Sequence, residues 1–233
     1  MLPCRPTTQP APGGLGNVVA PGCGRYNQFD RSERVPDEGQ VKFESDLYES
    51  VPPSEWDVEE VNLWRDRLYA LGYIGAYADG TGYGNISIRP AHLRQFIITG
   101  TSTGKIPLLL PQHFTRVSDY SIERNTVVCE GRIHASSESM THAAVYACNP
   151  DVRAVIHIHS KKHWQRLLSR IPTTEASAAY GTPAMAREIR RLFEETDFPT
   201  VKVMVMGGHE EGILSFGTTL EEAGRRLLEA LDE

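Results

Sequence analysis

From Ser54 onward, apolar residues recur along the chain at two spacings, about two and about 3.6 residues. Val58, Val61, Trp64, Leu68 and Leu71 share one helical face. Ser54 and Asp57 predict a capping box at the start of that helix, and Gly72 its end. Gly80 to Gly84 reads as a glycine-rich turn, and Asn85 to Arg89 alternates as a strand. Gln95 to Ile98 predicts a second strand, followed by the polar loop Thr99 to Lys105. Ser118 to Val128 predicts a strand and a turn. Ser136 to Cys148 reads as a helix stopped by Asn149-Pro150, and Ala154 to His159 as a strictly alternating strand. Thr182-Pro183 opens a helix with Met185, Ile189, Leu192 and Phe193 on one face, since proline suits the first helical position. Val201 to Met206 and Gly212 to Phe216 predict two strands around a glycine turn. Thr219 and Glu222 form a second capping box before a last helix carrying Leu220, Ala223, Leu227 and Leu231. The regular strand–helix–strand spacing of a parallel sheet is missing. The pattern therefore predicts an α/β protein with helices layered on a mostly antiparallel or mixed sheet.

Residues 1 to 45 differ. Met1 to Gly24 is rich in proline, glycine and small residues, and Arg25 to Glu44 is polar and charged. Such a segment buries too little apolar surface to offset its ordering entropy, so a flexible tail is expected over 1–45 and the folded domain over 46–233. An arm that wraps a neighbouring subunit is the alternative. The 233 residues are 40% apolar and 23% charged, which suits a folded core. The net charge of −6 argues against nucleic-acid or anionic-membrane binding by bulk charge. No apolar run approaches a membrane span, and no secretory signal is expected at the N-terminus. Cys4, Cys23, Cys129 and Cys148 form no CxxC pair, so neither a zinc ribbon nor a disulfide scaffold is expected, and a reducing cytoplasm is the default compartment.

Four places carry candidate chemistry. In His157-Ile158-His159 the two imidazoles lie two residues apart on a predicted strand and so share a face. Val155 lies on that face too, with Ala154, Ile156 and Ile158 opposite. They could grip one divalent ion, or they could be histidines that merely adjoin at a strand end. His209, in Gly207-Gly208-His209-Glu210-Glu211-Gly212, sits at a predicted hairpin tip and could complete a set of three; alone it reads as exposed, like His92, His113 and His163. Ser136-Ser137-Glu138 stands at a predicted helix start, where free amides favour anions, so it reads as a phosphate cradle or as simple capping. A rival metal pairing joins Glu138 to His142 on the same helical face. The loops Gly84-Asn85 and Thr99 to Lys105 resemble nucleotide motifs superficially. Gly100 to Lys105 has its glycines one residue too close for a phosphate-binding loop of the nucleotide type, and Ile106 stands where Ser or Thr should be. Gly80, Gly82 and Gly84 miss the dinucleotide spacing. Both loops could still present amides and hydroxyls to a small phosphate, or be ordinary turns.

Taken in order, Asn85-Ile86-Ser87-Ile88-Arg89, Ile98-Thr99-Gly100-Thr101, Ser136-Ser137-Glu138 with His142, His157-x-His159 after Pro150-Asp151, and His209 before Gly212 resemble the class II aldolase/adducin family over residues 57 to 231. The resemblance implies a three-layer α/β/α sandwich around a mostly antiparallel sheet, and a homotetramer with sites at subunit interfaces. It implies that His157, His159 and His209 hold Zn2+ or another divalent metal such as Mn2+, Fe2+ or Co2+. Glu138 would be a fourth ligand at rest and the acid/base group. Gly84, Asn85, Thr101, Ser102, Ser136 and Ser137 would bind the substrate phosphate. The expected activity is that of a metal-dependent aldehyde-lyase of carbohydrate metabolism, cleaving a small phosphorylated hydroxy-carbonyl compound through a metal-stabilised enediolate. A dehydratase acting on methylthioribulose phosphate and a non-catalytic adducin-like interaction protein are the alternatives. The stretch from His159 to Tyr180 is shorter than in the sugar-phosphate aldolases, so their proton-donating tyrosine is not assigned here; Tyr180 reads as a candidate or as a packed aromatic before the Gly181-Thr182-Pro183 helix entry. The chain stops at its last helix, without the further segment of the epimerases, which lowers the epimerase reading.

Overall fold

The computed structural model describes residues 39–90 and 93–232. The expected tail therefore falls largely outside the described residues, as do Cys4, Cys23 and His92. The elements in chain order are β1 (Glu44–Glu49), α1 (Glu55–Ala70), β2 (Gly75–Ala76), β3 (Gly82–Tyr83), β4 (Asn85–Ile88), β5 (Phe96–Thr99), β6 (Phe114–Ser121), β7 (Thr126–Gly131), α2 (Ser139–Cys148), β8 (Ala154–His159), α3 (Lys161–Leu167), α4 (Pro183–Glu195), α5 (Phe198–Val201), β9 (Val203–Val205), β10 (Gly212–Gly217) and α6 (Leu220–Asp232). Eight strands form one sheet in the order β1-β7-β6-β5-β4-β8-β10-β9. All neighbours are antiparallel except β1 and β7, so the sheet is mixed. None of the described helices is long and apolar enough to cross a membrane.

Strand alternation separates two cores. Ala154, Ile156 and Ile158 of β8 join Ile86, Ile213 and the apolar faces of α1 and α6. Val155 points the other way, into a cluster with Met140, Val145, Met185, Ile189 and Leu214 that involves α2 and α4. Helices thus cover both faces, the α/β architecture predicted. His157 and His159 share the Val155 face, the side of α2 and α4, as two-residue periodicity requires.

The caps show why several boundaries fall where they do. Ser54 and Asp57 make the reciprocal capping box at α1, and Gly72, at φ +75°, takes the left-handed conformation that ends it. Leu71, placed on the apolar face by its spacing, is 52% exposed because it lies beyond the last helical turn. On the inner side of α1, Arg65 is buried and donates from Nη1 to the Pro107 carbonyl at 2.6 Å and from Nη2 to Gly104 at 3.2 Å; Ile106 also accepts from it. Thr182 caps α4 by accepting from the Met185 amide. At α6 the capping is displaced by one residue. Thr219 Oγ1 accepts from the Glu222 amide, but the Glu222 carboxylate reaches back to the amide and hydroxyl of Thr218.

Other expectations shift. The region around Ser118 to Val128 is a complete hairpin, β6 and β7, that starts at Phe114 and turns through Asn125 in the left-handed region. Strand β5 is displaced by one residue from its predicted span. Helix α2 begins at Ser139, three residues later than predicted. The Ser136 carbonyl accepts from both the amide and the hydroxyl of Ser139, closing a turn before the helix. Ser136 and Ser137 are therefore not in the first helical turn. Strands β1 and β2 and helix α3 lie outside the predicted elements, β3 falls within the predicted glycine-rich turn, and α5 takes up Val201, so that the strand predicted from Val201 begins at Val203.

One stability prediction arises at α6. Lys202 Nζ lies 2.6 Å from Glu222 Oε1, and Thr218 donates twice to Oε2. The Lys202 hydrogen bond leads in lowering the Glu222 carboxyl from 4.5 to about 2. A depressed folded-state value means that stability is present above about pH 4.5 and is lost as the pH falls toward about 2. Glu222→Gln is expected to cost about 1 kcal/mol at pH 7, a figure discounted for the partial exposure of both side chains. The difference from the parent protein should shrink as the pH falls through that window. Urea unfolding at pH 7, 4.5 and 3 checks this; a difference independent of pH would show that the carboxylate's charge plays no part.

Candidate metal centre and adjoining polar pocket

The site begins on β8, the strand held on one side by β4 and on the other by β10. Asn85 lies opposite His157, and Gly212 opposite His159. This double pairing fixes both imidazoles at the end of a central strand. The third imidazole comes from the turn between β9 and β10. There His209 N donates to the Met206 carbonyl and Gly212 N to the His209 carbonyl, winding the chain tightly enough to bring the ring back over β8. Gly212 is required: a Cβ there would stand 2.6 Å from the His209 ring and 3.1 Å from His157.

The three Nε2 atoms converge. His159 Nε2 is 3.0 Å from His157 Nε2 and 3.0 Å from His209 Nε2. Among the described residues these three form the one group of histidine, cysteine or carboxylate side chains close enough to hold a metal ion. Glu138, just before α2, turns its carboxylate into the same place. Its Oε1 lies 3.2 Å from His209 Nε2 and 3.8 Å from His157 Nε2. All four side chains are buried, and neither Glu138 oxygen has a partner in good hydrogen-bond geometry. Buried polar atoms are normally paired, so a carboxylate held this way beside converging nitrogens is a donor set that fits a divalent cation.

Burial governs the protonation states. Desolvation disfavours the charged imidazolium, holding His157 down to about 3 and His209 well below its ordinary value. Both imidazoles are neutral near pH 7, the state that offers a lone pair to a metal. Desolvation also disfavours carboxylate charge and pushes Glu138 up to about 8, against smaller opposing pulls from Thr141 and Lys42.

His142 does not join Glu138 in a metal pair. Its Nδ1 lies 2.7 Å from Ser87 Oγ, which in turn lies 2.8 Å from Tyr146 Oη, a buried polar cluster beneath the sheet. His113 and His163 are half-buried rather than exposed. His163 Nδ1 meets Ser160 Oγ at 2.7 Å, and the ring packs edge-on against Tyr73.

Beside the histidines is a polar pocket whose lining includes Gly84, Asn85, Thr101, Ser102, Ser136 and Ser137. Two loops are laced together to make it. Gly100 bridges Ala135, and the Thr101 amide donates to the His134 carbonyl. Gly84 needs its positive φ of 75°, and a Cβ there would strike Ile74 at 2.7 Å. Ser102 takes φ +58°, a left-handed turn that directs the chain into a short 3₁₀ segment, Thr103–Lys105. All six residues singled out for phosphate contact thus line one pocket. Chain continuity from Ser137 to Glu138, and the pairing of Asn85 with His157, place it beside the converging histidines.

The wall of the site also contains Tyr180, already a candidate from the sequence, and three residues with no sequence signal, Tyr77, Tyr83 and Lys42. Tyr83 stacks on His159 at 5.4 Å, and Tyr77 Oη lies 2.8 Å from His159 Nδ1. Tyr180 packs 4.4 Å from the His209 ring, accepts from the Gln40 amide at 3.0 Å, and carries Lys42 Nζ over its face at 3.9 Å. Lys42 therefore belongs to the site although it lies within the segment expected to be tail.

These features define a class. The model of the class II aldolase and adducin N-terminal domain matches residues 75–232, more than half of the sequence, and the chain belongs to that family. Similar solved structures include an L-fuculose 1-phosphate aldolase, at 20% identity and TM-score 0.59, covering 78% of this chain and 84% of that one. The L-fuculose-1-phosphate aldolase of Thermus thermophilus matches at 21% identity and TM-score 0.52, over 76% of this chain and 86% of its own. A sugar-phosphate aldolase from Thermotoga maritima matches at 16% identity and TM-score 0.53, over 76% and 90%. At such identities the likeness establishes the fold. Comparison with curated proteins by sequence gives no significant match.

Proposed function

We propose that this protein is a metal-dependent aldehyde-lyase that cleaves a small phosphorylated hydroxy-carbonyl compound. The observation that carries the reading is one juxtaposition. Three buried imidazoles and a buried carboxylate converge beside a polar pocket lined by backbone and hydroxyl donors. His157, His159 and His209 would hold the ion, with Glu138 as a fourth ligand; Zn2+ suits the set, and Mn2+, Fe2+ or Co2+ are also accommodated. A bound divalent cation supplies Lewis-acid charge for negative charge that develops on substrate oxygens.

The chain's own residues do the rest. Gly84, Asn85, Thr101, Ser102, Ser136 and Ser137 bind the phosphate, anchoring the substrate at the end remote from the reaction. Binding energy spent there positions the reacting carbons. Glu138 accepts a proton from the substrate hydroxyl whose carbon–carbon bond breaks, and returns a proton to the carbon left behind. Its elevated carboxyl suits a group that must exchange protons near neutrality. Tyr180, against the His209 ring, closes the site on that side.

Analysis of products from the purified protein, loaded with Zn2+ or Mn2+ and given phosphorylated ketoses, tests the reaction type. Paired cleavage products, an aldehyde and a three-carbon ketose phosphate, are expected. A dehydrated ketone of unchanged carbon count would replace this reading with that of a dehydratase. Absence of any turnover by metal-loaded protein across the panel would point to a non-catalytic role.

A further inference from the structure

We propose that Tyr77 and Glu211 form a hydrogen-bonded relay that orients His159 and sets its affinity for the cation. The proposal rests on the metal-site reading above and adds two positioning residues to it.

Tyr77 Oη lies 2.8 Å from His159 Nδ1 and donates to Glu211 Oε2 at 2.8 Å. Glu211 Oε2 is itself 4.0 Å from His159 Nδ1, too far for a direct hydrogen bond, so the tyrosine is the bridge. The direction of the bonds follows from donor inventory. An ionised carboxylate can only accept, so the phenol proton goes to Glu211 and the phenol oxygen accepts from His159 Nδ1–H. That tautomer turns the Nε2 lone pair toward His157 and His209, the direction in which a cation would lie. The carboxylate also raises the electron density of the phenol oxygen and, through it, the basicity of the imidazole. A partner on the remote nitrogen of a metal-binding histidine characteristically has both effects.

Two further features show that the relay is held in place. The Tyr77 ring packs on Tyr83 at 4.8 Å, and Tyr83 stacks on His159 at 5.4 Å with a 26° angle, so the bridging tyrosine and the imidazole are braced by the same aromatic ring. Glu211 has φ +71°, a left-handed conformation that favours glycine, in a turn already rich in glycine. A carboxylate kept on strained backbone next to a functional cluster is a feature that packing alone does not call for.

The test measures cation affinity, apart from turnover. Competition between the full-length protein and a chromophoric chelator gives the Zn2+ dissociation constant, and Co2+ absorption reports ligand geometry. The parent, Tyr77→Phe, Glu211→Gln and the double variant are compared. Tyr77→Phe keeps the ring and its stacking, and loses only the bridge. It is expected to weaken Zn2+ binding by about 10- to 100-fold and to alter the Co2+ spectrum, with the melting temperature of the metal-free protein unchanged. Glu211→Gln still accepts from Tyr77 but loses the charge, so its effect should be smaller. The double variant should match Tyr77→Phe, because Glu211 acts through Tyr77. If Tyr77→Phe binds Zn2+ within about twofold of the parent, the relay is refuted while the metal site stands. Effects of the two substitutions that simply add would also refute it, by showing independent roles. If the parent itself binds no Zn2+ or Co2+, the metal-site reading fails and the relay fails with it.

Discussion

His157→Ala/His159→Ala protein is expected to lose tight divalent-cation binding altogether, retaining less than about one hundredth of the parent's affinity. The reason is geometric. His157 and His159 are two of the three converging nitrogens, and they stand on the strand fixed by neighbours on both sides. Of the four converging side chains, His209 and Glu138 would be left as a pair, with Nε2 and Oε1 3.2 Å apart. The fold should survive. The core beneath β8 is made by Ala154, Ile156 and Ile158 on the opposite face, which the substitution leaves intact. Truncating two buried rings leaves cavities and should cost about 2–4 kcal/mol, in part offset because two buried polar rings also disappear. Elemental analysis per subunit after exhaustive dialysis, with circular dichroism as a check on folding, measures both effects. Retention of about one equivalent of metal by folded double variant would remove these histidines from the site.

The second large effect is kinetic. Glu138→Gln is expected to keep the cation, held by three imidazoles, while turnover falls about 10²- to 10⁴-fold. The carboxamide is nearly the same size and fills the same buried position before α2, so packing changes little. What it loses is the capacity to take and return a proton. Burial holds the carboxyl at about 8, so the group exchanges protons at neutral pH in a way an amide cannot. The diagnostic is a fall in kcat with metal content unchanged. Full activity in Glu138→Gln would end its assignment as the acid/base group, and loss of metal together with activity would make it chiefly a ligand.

How much of this was legible in the sequence depended on which force makes each element. β8 was readable because both its faces are buried, one by apolar packing and one by the site, so alternation is strict from Ala154 to His159. The helix after Thr182 and the last helix were readable from caps plus an apolar stripe. β1 was not. Glu44 to Glu49 is polar and mostly exposed, and it is held at the sheet edge by parallel backbone pairing with β7, which leaves no period in the side chains. The start of α2 was misplaced because a serine that closes a turn and a serine that caps a helix look alike in sequence. The phosphate-contact candidates came from motif order, and they do line one pocket. Tyr77 and Glu211 carried no signal, because a residue just after a two-residue strand and a turn far along the chain are brought together only by folding. Lys42 was hidden in the same way by a segment whose composition reads as tail.

The buried guanidinium of Arg65 has a consequence for the loop it grips. In every peptide unit the carbonyl and the N–H point in opposite directions. A cation that draws the carbonyls of Gly104 and Ile106 toward α1 therefore sets the polarity of the whole segment, turning the Lys105 amide away from the helix. The short 3₁₀ turn at the edge of the polar pocket is polarised from behind, with its negative edges absorbed by a helix that lies outside the pocket. The carbonyl of Gly104, a residue that lines the pocket, is thus held by a side chain that does not line it.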